Sequence, residues 1–327
     1  MKLLVTGCRG MLGQDLVPRM KEAGFELQCV DIAEMDITKR NLVLDRVASV
    51  RPDLVINCSA YTAVDKAESD QQLAFAVNRD GPGHLADACS KRGVPLVHIS
   101  TDYVFDGQSS RPYREDDEAN PIGVYARSKW EGEEEVRRRL DKHIIVRTSW
   151  LFGFHGNNFV KTILRLAGER DQLKVVNDQK GCPTWTGHLA EALTQIAARI
   201  RGNINDTPWG TYHYCGQGAT TWFQFAAEIV EEARRRKELR VSKISAIPTS
   251  EYPTPAKRPM NSALDCSRIR REFGIVPKPW KVGLGFVLKE LLGSEEAQSS
   301  EFKGESEEAR KLGGSEVGRR NLRPSVE

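Results

Sequence analysis

The chain begins with a short apolar segment that runs directly into a glycine-rich turn. Residues 2–5 read Lys-Leu-Leu-Val, and Gly7, Gly10 and Gly13 follow at the spacing G-x-x-G-x-x-G. From residue 11 to residue 23, apolar side chains recur with the period of an α-helix. A strand, a tight turn and a helix in this order form the first unit of a layered α/β fold with a parallel sheet.

The turn has the features of a dinucleotide site. Its spacing differs by one residue from G-x-G-x-x-G, but the three glycines serve the same purposes: a tight turn, close approach of the backbone to a pyrophosphate, and packing of the helix against the strand. The pyrophosphate then meets amide groups at the positive end of the helix. We therefore expect a cofactor to contact Gly7, Arg9, Gly10, Met11, Leu12 and Gly13.

The second predicted strand, Phe25–Val30, leads into a residue that bears on the choice of cofactor. Asp31 can accept hydrogen bonds from an adenosine ribose, which favours NAD, whereas Arg9 can pair with a 2′-phosphate, which favours NADP. Because the two signals conflict, we expect use of both NADPH and NADH, with NADPH slightly ahead. Asp36 and Ile37 are placed to meet the adenine edge.

The first half of the chain alternates predicted strands with predicted helices. Further strands are predicted at Leu54–Asn57, Pro95–Ser100 and His143–Thr148, and helices at Met11–Ala23, Arg40–Val50, Gln71–Arg92 and Tyr125–Leu140. This alternation predicts right-handed βαβ units in a doubly wound parallel sheet of the Rossmann type. We expect residues 1–150 to form the dinucleotide-binding domain.

Beyond residue 150 the pattern loosens. Strands are predicted near Leu173–Val176, Thr211–Tyr214 and Lys243–Ile247, and helices near Asn158–Ala167, Leu189–Arg201 and Trp222–Arg236. We expect residues 151–293 to form mainly a smaller α/β substrate-binding lobe. From residue 294 the sequence has almost no apolar side chains to offset its ordering entropy, so we expect 294–327 to be a disordered tail.

Composition excludes several classes of protein. The 327 residues include 39% hydrophobic side chains, enough for a large core, and 48 basic against 45 acidic residues give a net charge of +3. No strong field argues for nucleic acid or a membrane surface, and we see neither a run of about 18 apolar residues nor a signal peptide. Seven cysteines without C-x-x-C spacing are typical of reduced thiols. We expect a cytoplasmic enzyme, either a monomer or a homodimer.

A second motif carries the chemistry. Tyr125 and Lys129 are four residues apart in a predicted helix, so both side chains lie on one face. We expect the ammonium of Lys129 to favour the ionised form of the phenol, whose ordinary pKa is about 10, and so to make it usable for proton transfer near neutral pH. Two such residues also occur on ordinary solvated helix faces. The glycine turn earlier in the chain favours a role in proton transfer instead.

These motifs occur together with several longer segments in the order of a known family. The segments are Asn57–Glu68 (NCSAYTAVDKAE), Ser100–Gly107 (STDYVFDG), Arg147–Trp150 (RTSW), Asn177–Thr184 (NDQKGCPT) and Tyr252–Pro259 (YPTPAKRP). From the first strand to about residue 292, the chain resembles the extended short-chain dehydrogenases/reductases and, among them, the dTDP-4-dehydrorhamnose reductases. Several segments in the right order are far less frequent by chance than any one motif.

The resemblance implies an activity and its residues. It implies reduction of the 4-keto group of dTDP-4-dehydro-L-rhamnose to dTDP-L-rhamnose, the last step of dTDP-rhamnose synthesis. Thr101, expected just past the fourth strand, would bind the carbonyl oxygen, Tyr125 would donate the proton, and Lys129 would lower the phenol pKa and hold the nicotinamide ribose. The resemblance also implies cofactor contacts at Ala60, Tyr61 and Thr62. It further implies that some segments beyond residue 150 return to the first domain.

The same resemblance implies a set of substrate contacts. Asp102 and Trp150 correspond to residues near the sugar, while Asn158, Asp178, Gln179, Pro183, Thr184 and Arg258 correspond to the nucleotide-diphosphate side. Arg258 offers a bidentate donor for a phosphate, and Trp150 offers a flat face for a sugar ring.

Some family members bind Mg²⁺ through glutamates of three helices at a dimer interface. The corresponding positions here are Asp15, Gly187 and Glu290, so one carboxylate is shortened and one is missing, although Glu191 lies one turn further on. A hard cation needs several well-placed oxygens, so Asp15 and Glu290 are only weak metal candidates.

Two other functions stay open on the sequence. An epimerase or dehydratase of the same fold, acting on another nucleotide sugar, would keep Tyr125 and Lys129 but retain NAD through its cycle. A non-catalytic regulatory subunit of methionine adenosyltransferase also resembles this family, although intact Thr101, Tyr125 and Lys129 argue for an enzyme.

Overall fold

A computed structural model describes residues 1–293 of the chain. Its strands are β1 (Lys2–Thr6), β2 (Glu26–Val30), β3 (Leu54–Asn57), β4 (Leu96–Thr101), β5 (His143–Thr148), β6 (Leu151–Phe152), β7 (Gln172–Val176), β8 (Lys180–Gly181), β9 (Thr184–Trp185), β10 (Gly210–His213), β11 (Thr220–Thr221) and β12 (Lys243–Ile247). The predicted tail, residues 294–327, lies outside the described residues.

The helices alternate with these strands. They are α1 (Met11–Glu22), α2 (Arg40–Val50), α3 (Val64–Ala67), α4 (Gln71–Phe75), α5 (Gly81–Ser90), α6 (Val124–Arg139), α7 (Phe159–Glu169), α8 (Thr186–Gly202), α9 (Trp222–Arg234), α10 (Ser267–Phe273) and a last helix, α11, over 280–293. A π-helical turn, Ala76–Asp80, joins α4 to α5, so the helix predicted at Gln71–Arg92 is one interrupted run. Short 3₁₀ turns occupy Asp102–Val104, Ile204–Asp206 and Thr249–Glu251.

A six-stranded parallel sheet in the order β10-β5-β4-β3-β1-β2 organises the molecule. The chain passes from β1 to β2 on one side and then returns to place β3 on the other side, so the order reverses between β1 and β3. In such sheets ligands bind outside the carboxyl ends of the strands at this reversal. A hydrogen bond of 2.6 Å from Thr6 Oγ1 to Asn57 Oδ1 joins the ends of β1 and β3 there.

Alternate residues of each strand face opposite layers of helices. Leu3 and Val5 pack with Leu16 of α1 and Leu193 of α8 on one face, whereas Leu4 packs with α2 and α5 on the other. Each fully buried leucine of this kind contributes about 1.5–3 kcal/mol relative to exposure. The doubly wound parallel sheet predicted from the sequence is confirmed.

The chain returns to the sheet after residue 150, because β10 pairs with β5 at its edge and α8 packs on α1. A smaller lobe is built from the parallel pair β7 and β12, which is packed with α7, α9 and α11 around a separate apolar core. None of the helices within residues 1–293 is long and apolar enough to cross a membrane.

Candidate active site

The glycine turn fits a close backbone approach. Gly7 has φ +65°, and a Cβ atom there would stand 2.7 Å from the backbone nitrogen of Ser59. A Cβ on Gly13 would stand only 2.4 Å from the Gly7 carbonyl oxygen. Gly10 is the residue that precedes the first turn of α1, and it uses no side chain to cap the helix. The amide end of α1 is thus left accessible to an anion.

Two adjoining cavities flank this turn. The first, of about 470 Å³, is lined by the predicted cofactor residues Gly7, Arg9, Gly10, Asp31, Asp36, Ile37, Ala60 and Tyr61. The second, of about 580 Å³, is lined by Gly10, Met11, Leu12, Gly13, Ala60, Thr62, Thr101, Asp102, Tyr125, Lys129 and Trp150. Because both include Gly10, Cys58 and Ala60, they form one groove along the carboxyl ends of the strands. The predicted cofactor residues therefore lie together, and their contacts with a cofactor stay predictions.

The three predicted catalytic side chains meet in the second cavity. Thr101 is the last residue of β4, one position inside the strand rather than just past it as expected. Its hydroxyl donates to Asp102 Oδ1 at 3.1 Å and accepts the amide of Tyr103 at 3.2 Å. Tyr125 and Lys129 lie in the first turns of α6, and Lys129 Nζ donates to the Ile99 carbonyl at 2.7 Å.

The expected effect of Lys129 on the phenol is wrong for this structure. Burial raises the pKa of Tyr125 to about 12, with a smaller raising effect from the Asp102 carboxylate, whereas the hydrogen bond with Thr101 lowers it. The ammonium of Lys129 is directed at the Ile99 carbonyl, and burial dominates the pKa of the phenol instead. Burial also lowers the pKa of Lys129 to about 8, against the opposing charge of Glu133.

Asp102 has an unusual environment for a carboxylate. Its side chain is 2% exposed, and its Oδ2 atom is buried without a hydrogen-bond partner. Burial raises its pKa to about 7, although hydrogen bonds from Ser262 and Thr101 act in the opposite direction. A buried polar atom without a hydrogen-bond partner is costly, and Asp102 lines the second cavity. The geometry therefore fits the predicted sugar contact.

A buried ion pair supports the helix that carries Tyr125 and Lys129. Glu133, one turn beyond Lys129, accepts hydrogen bonds from Arg147 of β5 at 2.8–3.2 Å, and both side chains are at most 2% exposed. Arg137 donates to the same carboxylate at 2.6 Å. Despite burial, these cations lower the pKa of Glu133 to about 2, so its charge is fixed. Sequence reasoning missed this pair because Glu133 and Arg147 read as surface charges.

Trp150 is held in a strained and crowded position. Its φ is +46°, rare for a non-glycine residue. Its indole stacks on Trp222 with ring centroids 3.5 Å apart, and a Cβ on Gly181 would stand 2.4 Å from it. Trp222 also lines the second cavity and was not predicted. Its only sequence signal is the capping box of Thr221 and Gln224 that begins α9.

The predicted nucleotide-side residues are engaged with other parts of the lobe. Asn158 caps α7 and donates to the Gly153 carbonyl at 2.8 Å, whereas its neighbour Asn157 lines the second cavity. Asp178 and Gln179 both bond to Thr249. Pro183 and Thr184 are buried, and the Thr184 hydroxyl bonds to the Cys182 carbonyl and the Gly216 amide. The five predicted residues of this set line neither cavity, so their substrate contacts stay predictions: Asn158, Asp178, Gln179, Pro183 and Thr184.

Two long-range contacts explain the acidic residues of the segment Asn57–Glu68. Asp65 holds Arg258 through two hydrogen bonds, of 3.0 and 2.7 Å, so the guanidinium predicted for a phosphate is paired within the chain. Glu68 Oε1 accepts the Val124 amide at 2.8 Å and thereby occupies the N-terminus of α6. This segment thus holds in place both the loop that carries Arg258 and the helix that carries Tyr125.

The weak metal candidates do not come together. The Asp15 carboxylate accepts a hydrogen bond from Thr186, and Glu191 pairs with Lys278 at 2.6 Å. In residues 1–293 no three His, Cys, Asp or Glu side chains form a group that could hold a metal ion. The donors within these residues do not fit a Mg²⁺ site.

In the first cavity, the two residues that bear on the predicted choice of cofactor are connected by a hydrogen bond. The backbone amide of Arg9 donates to Asp31 Oδ2 at 3.0 Å, and the guanidinium of Arg9 pairs with Glu34, which was not predicted. Asp36 accepts the amide and hydroxyl of Thr38 at 2.9 and 2.7 Å.

The chain is similar to known proteins over most of its length. The sequence profile of the family described as "RmlD substrate binding domain" matches residues 1–292. A dTDP-4-dehydrorhamnose reductase of Aggregatibacter actinomycetemcomitans is 44% identical, covering 86% of this chain and 97% of that relative. A crystal structure of the Clostridium acetobutylicum dTDP-4-dehydrorhamnose reductase superposes with a TM-score of 0.82 at 39% identity, over 89% of this chain and 99% of that one.

A third relative was solved with a bound cofactor. The dTDP-4-dehydrorhamnose reductase of Bacillus anthracis, in complex with NADP, superposes with a TM-score of 0.80 at 36% identity. The alignment covers 88% of this chain and 99% of that structure. The chain belongs to the dTDP-4-dehydrorhamnose reductase family.

Proposed function

We propose that this chain reduces the 4-keto group of dTDP-4-dehydro-L-rhamnose to dTDP-L-rhamnose with NADPH, and that NADH can substitute. The observation that carries the proposal is the meeting of Thr101, Tyr125 and Lys129 in a cavity that continues into the glycine turn. The cofactor is bound by the sheet-bearing part, residues 1–150 with α8 and β10, and the sugar nucleotide by the remaining lobe.

The residues present fit a dinucleotide, which supplies a hydride when bound. Gly7, Gly10 and Gly13 leave room for a pyrophosphate at the start of α1, and Asp31 and Arg9, which line the first cavity, would hold the adenosine ribose. Lys129 holds the nicotinamide ribose.

Tyr125 delivers the proton. Because burial raises its pKa to about 12, the phenol keeps its proton at neutral pH and is ready to donate it to the substrate oxygen. The Thr101 hydroxyl, also buried, donates a hydrogen bond to that oxygen and orients the carbonyl. Lys129 lies one helical turn along α6, where its hydrogen bond to the Ile99 carbonyl fixes it, and it lines the same cavity.

An assay of nicotinamide absorbance with purified protein, NADPH and dTDP-4-dehydro-L-rhamnose tests the proposal. We expect one NADPH to be oxidised for each dTDP-L-rhamnose formed, with the product identified by mass spectrometry and NMR. Conversion of the sugar without net NADPH oxidation would instead indicate an epimerase or dehydratase. Binding of the dinucleotide without any turnover would instead favour a non-catalytic regulatory subunit.

A further inference from the structure

Glu34 lies in the turn that follows β2, beside the first cavity. One carboxylate oxygen, Oε2, accepts the backbone amide of Asp31 at 3.0 Å. The other, Oε1, pairs with the guanidinium of Arg9, which reaches across from the glycine turn. Arg46 binds the backbone carbonyl of Glu34 at 3.0 Å and leaves its carboxylate to Arg9. Glu34 is thus fixed by the two residues that bear on cofactor choice.

Arg9, Asp31 and Glu34 together carry one net negative charge. Arg9 contributes one positive charge, while Asp31 and Glu34 contribute one negative charge each, and Asp31 Oδ2 also accepts the Arg9 amide at 3.0 Å. The hydrogen bond from the Asp31 amide, followed by that from Arg9, lowers the pKa of Glu34, so its carboxylate is ionised at neutral pH.

This arrangement affects the two cofactors differently. A 2′-hydroxyl needs only an acceptor such as Asp31, which leaves the pair of Arg9 and Glu34 intact. A 2′-phosphate must draw Arg9 away from Glu34 and then remain close to two carboxylates. The free energy of that exchange weakens binding of the phosphorylated dinucleotide alone.

We infer that Glu34 is a specificity-determining residue that competes with the 2′-phosphate for Arg9 and so shifts the chain toward NADH. The inference rests on the proposed use of a nicotinamide dinucleotide. Arg9, Asp31 and Glu34 act as one unit, in which the ion pair with Glu34 limits how readily the Arg9 guanidinium can bind a 2′-phosphate.

The test measures the binding of NADPH and of NADH in the absence of sugar substrate, with nicotinamide fluorescence as the signal. For Glu34→Gln we expect the ratio of the NADH Kd to the NADPH Kd to rise by about fivefold, because the variant removes the competing charge and keeps an acceptor for the Asp31 amide. Raising the ionic strength from 0.05 to about 1 M should shrink this effect, since the groups are exposed. Asp45→Asn, which removes one negative charge from an exposed position on α2, is the matched control and should leave the ratio unchanged.

The double variant Arg9→Ala/Glu34→Gln separates this mechanism from a general loss of charge. If Glu34 acts through Arg9, Glu34→Gln has no effect on the ratio in the Arg9→Ala background. An unchanged ratio in Glu34→Gln, an equal rise in Asp45→Asn, or the same rise without Arg9 would each overturn the inference while both nucleotides still bind. Failure of the wild-type protein to bind either nucleotide would overturn the proposed function itself and, with it, the inference.

Discussion

Replacing Gly13 by alanine should damage the cofactor turn more than the fold. A Cβ at this position would stand 2.4 Å from the Gly7 carbonyl oxygen and 2.6 Å from Cys8 Cα, and both neighbours are backbone atoms that cannot rotate away. The turn and α1 must therefore separate by roughly 1 Å to reach ordinary contact, an overpacking that costs about 1–3 kcal/mol. For a chain of this size we expect Tm to fall by about 2–8 °C.

The shift should also misalign the amides that face the pyrophosphate. Loss of one hydrogen bond to a charged group costs about 1.5–3 kcal/mol, which corresponds to a Kd for NADPH raised about 10- to 100-fold. Fluorescence titration gives the Kd, and calorimetry or circular dichroism gives Tm.

Gly24→Ala is the matched control. Gly24 has φ +76°, so alanine there is strained, but nothing lies within 4 Å of the added Cβ. We expect this variant to lose about 1–2 kcal/mol of stability while its affinity for NADPH stays at the wild-type value. Wild-type affinity in Gly13→Ala, or equal losses of affinity in both variants, would refute the assignment of the turn to the pyrophosphate.

Other variants probe the charges around the groove. The stability of Asp102→Asn relative to the wild type should increase as pH rises from about 4 to 8, because burial raises the folded-state pKa of Asp102 to about 7 and the wild-type protein is destabilised when this group ionises. Thermal melts of both proteins at each pH measure the difference, and a difference that does not change with pH would contradict a buried, neutral Asp102. Glu133→Gln should lower the free energy of unfolding by about 3–5 kcal/mol in urea titrations, because it leaves Arg147 buried without its partner, and a loss below about 1 kcal/mol would contradict the buried pair. Arg9→Ala should weaken NADPH more than NADH and Asp31→Ala the reverse, and equal losses for both nucleotides would show that neither residue reads the ribose.

Periodicity predicted the sheet well because its central strands, β1, β3, β4 and β5, are buried on both faces. Leu54–Asn57 and Arg40–Val50 were predicted with the bounds that the structure gives, and His143–Thr148 is the fifth strand as expected. Thr101 was placed one residue outside its strand because polar residues at strand ends carry no periodic signal. The family resemblance also implied that later segments return to the first domain. The structure shows that β10 pairs with β5 and that α8 packs on α1, contacts that no local sequence pattern indicates.

The electrostatics of the site depend on contacts between residues far apart in the chain. Tyr125 and Lys129 have helical spacing, yet the Ile99 carbonyl that binds Lys129 belongs to β4, 30 residues earlier. Arg258 reads as a free phosphate ligand until its partner Asp65, 193 residues away, is placed beside it. Local patterns identified the chemical groups, whereas burial and these partners set their charges.

Turnover by Tyr125→Phe tests the central claim most directly. With NADPH and dTDP-4-dehydro-L-rhamnose, we expect kcat to fall by about 100-fold or more, because a positioned proton donor contributes about that factor, while the Kd for NADPH stays close to the wild-type value. Tyr212→Phe is the control and should retain activity. It removes the phenol hydroxyl of a buried tyrosine outside the groove, which donates to the Pro208 carbonyl at 2.5 Å. Turnover by Tyr125→Phe at the level of Tyr212→Phe would contradict the role of Tyr125 as the proton donor.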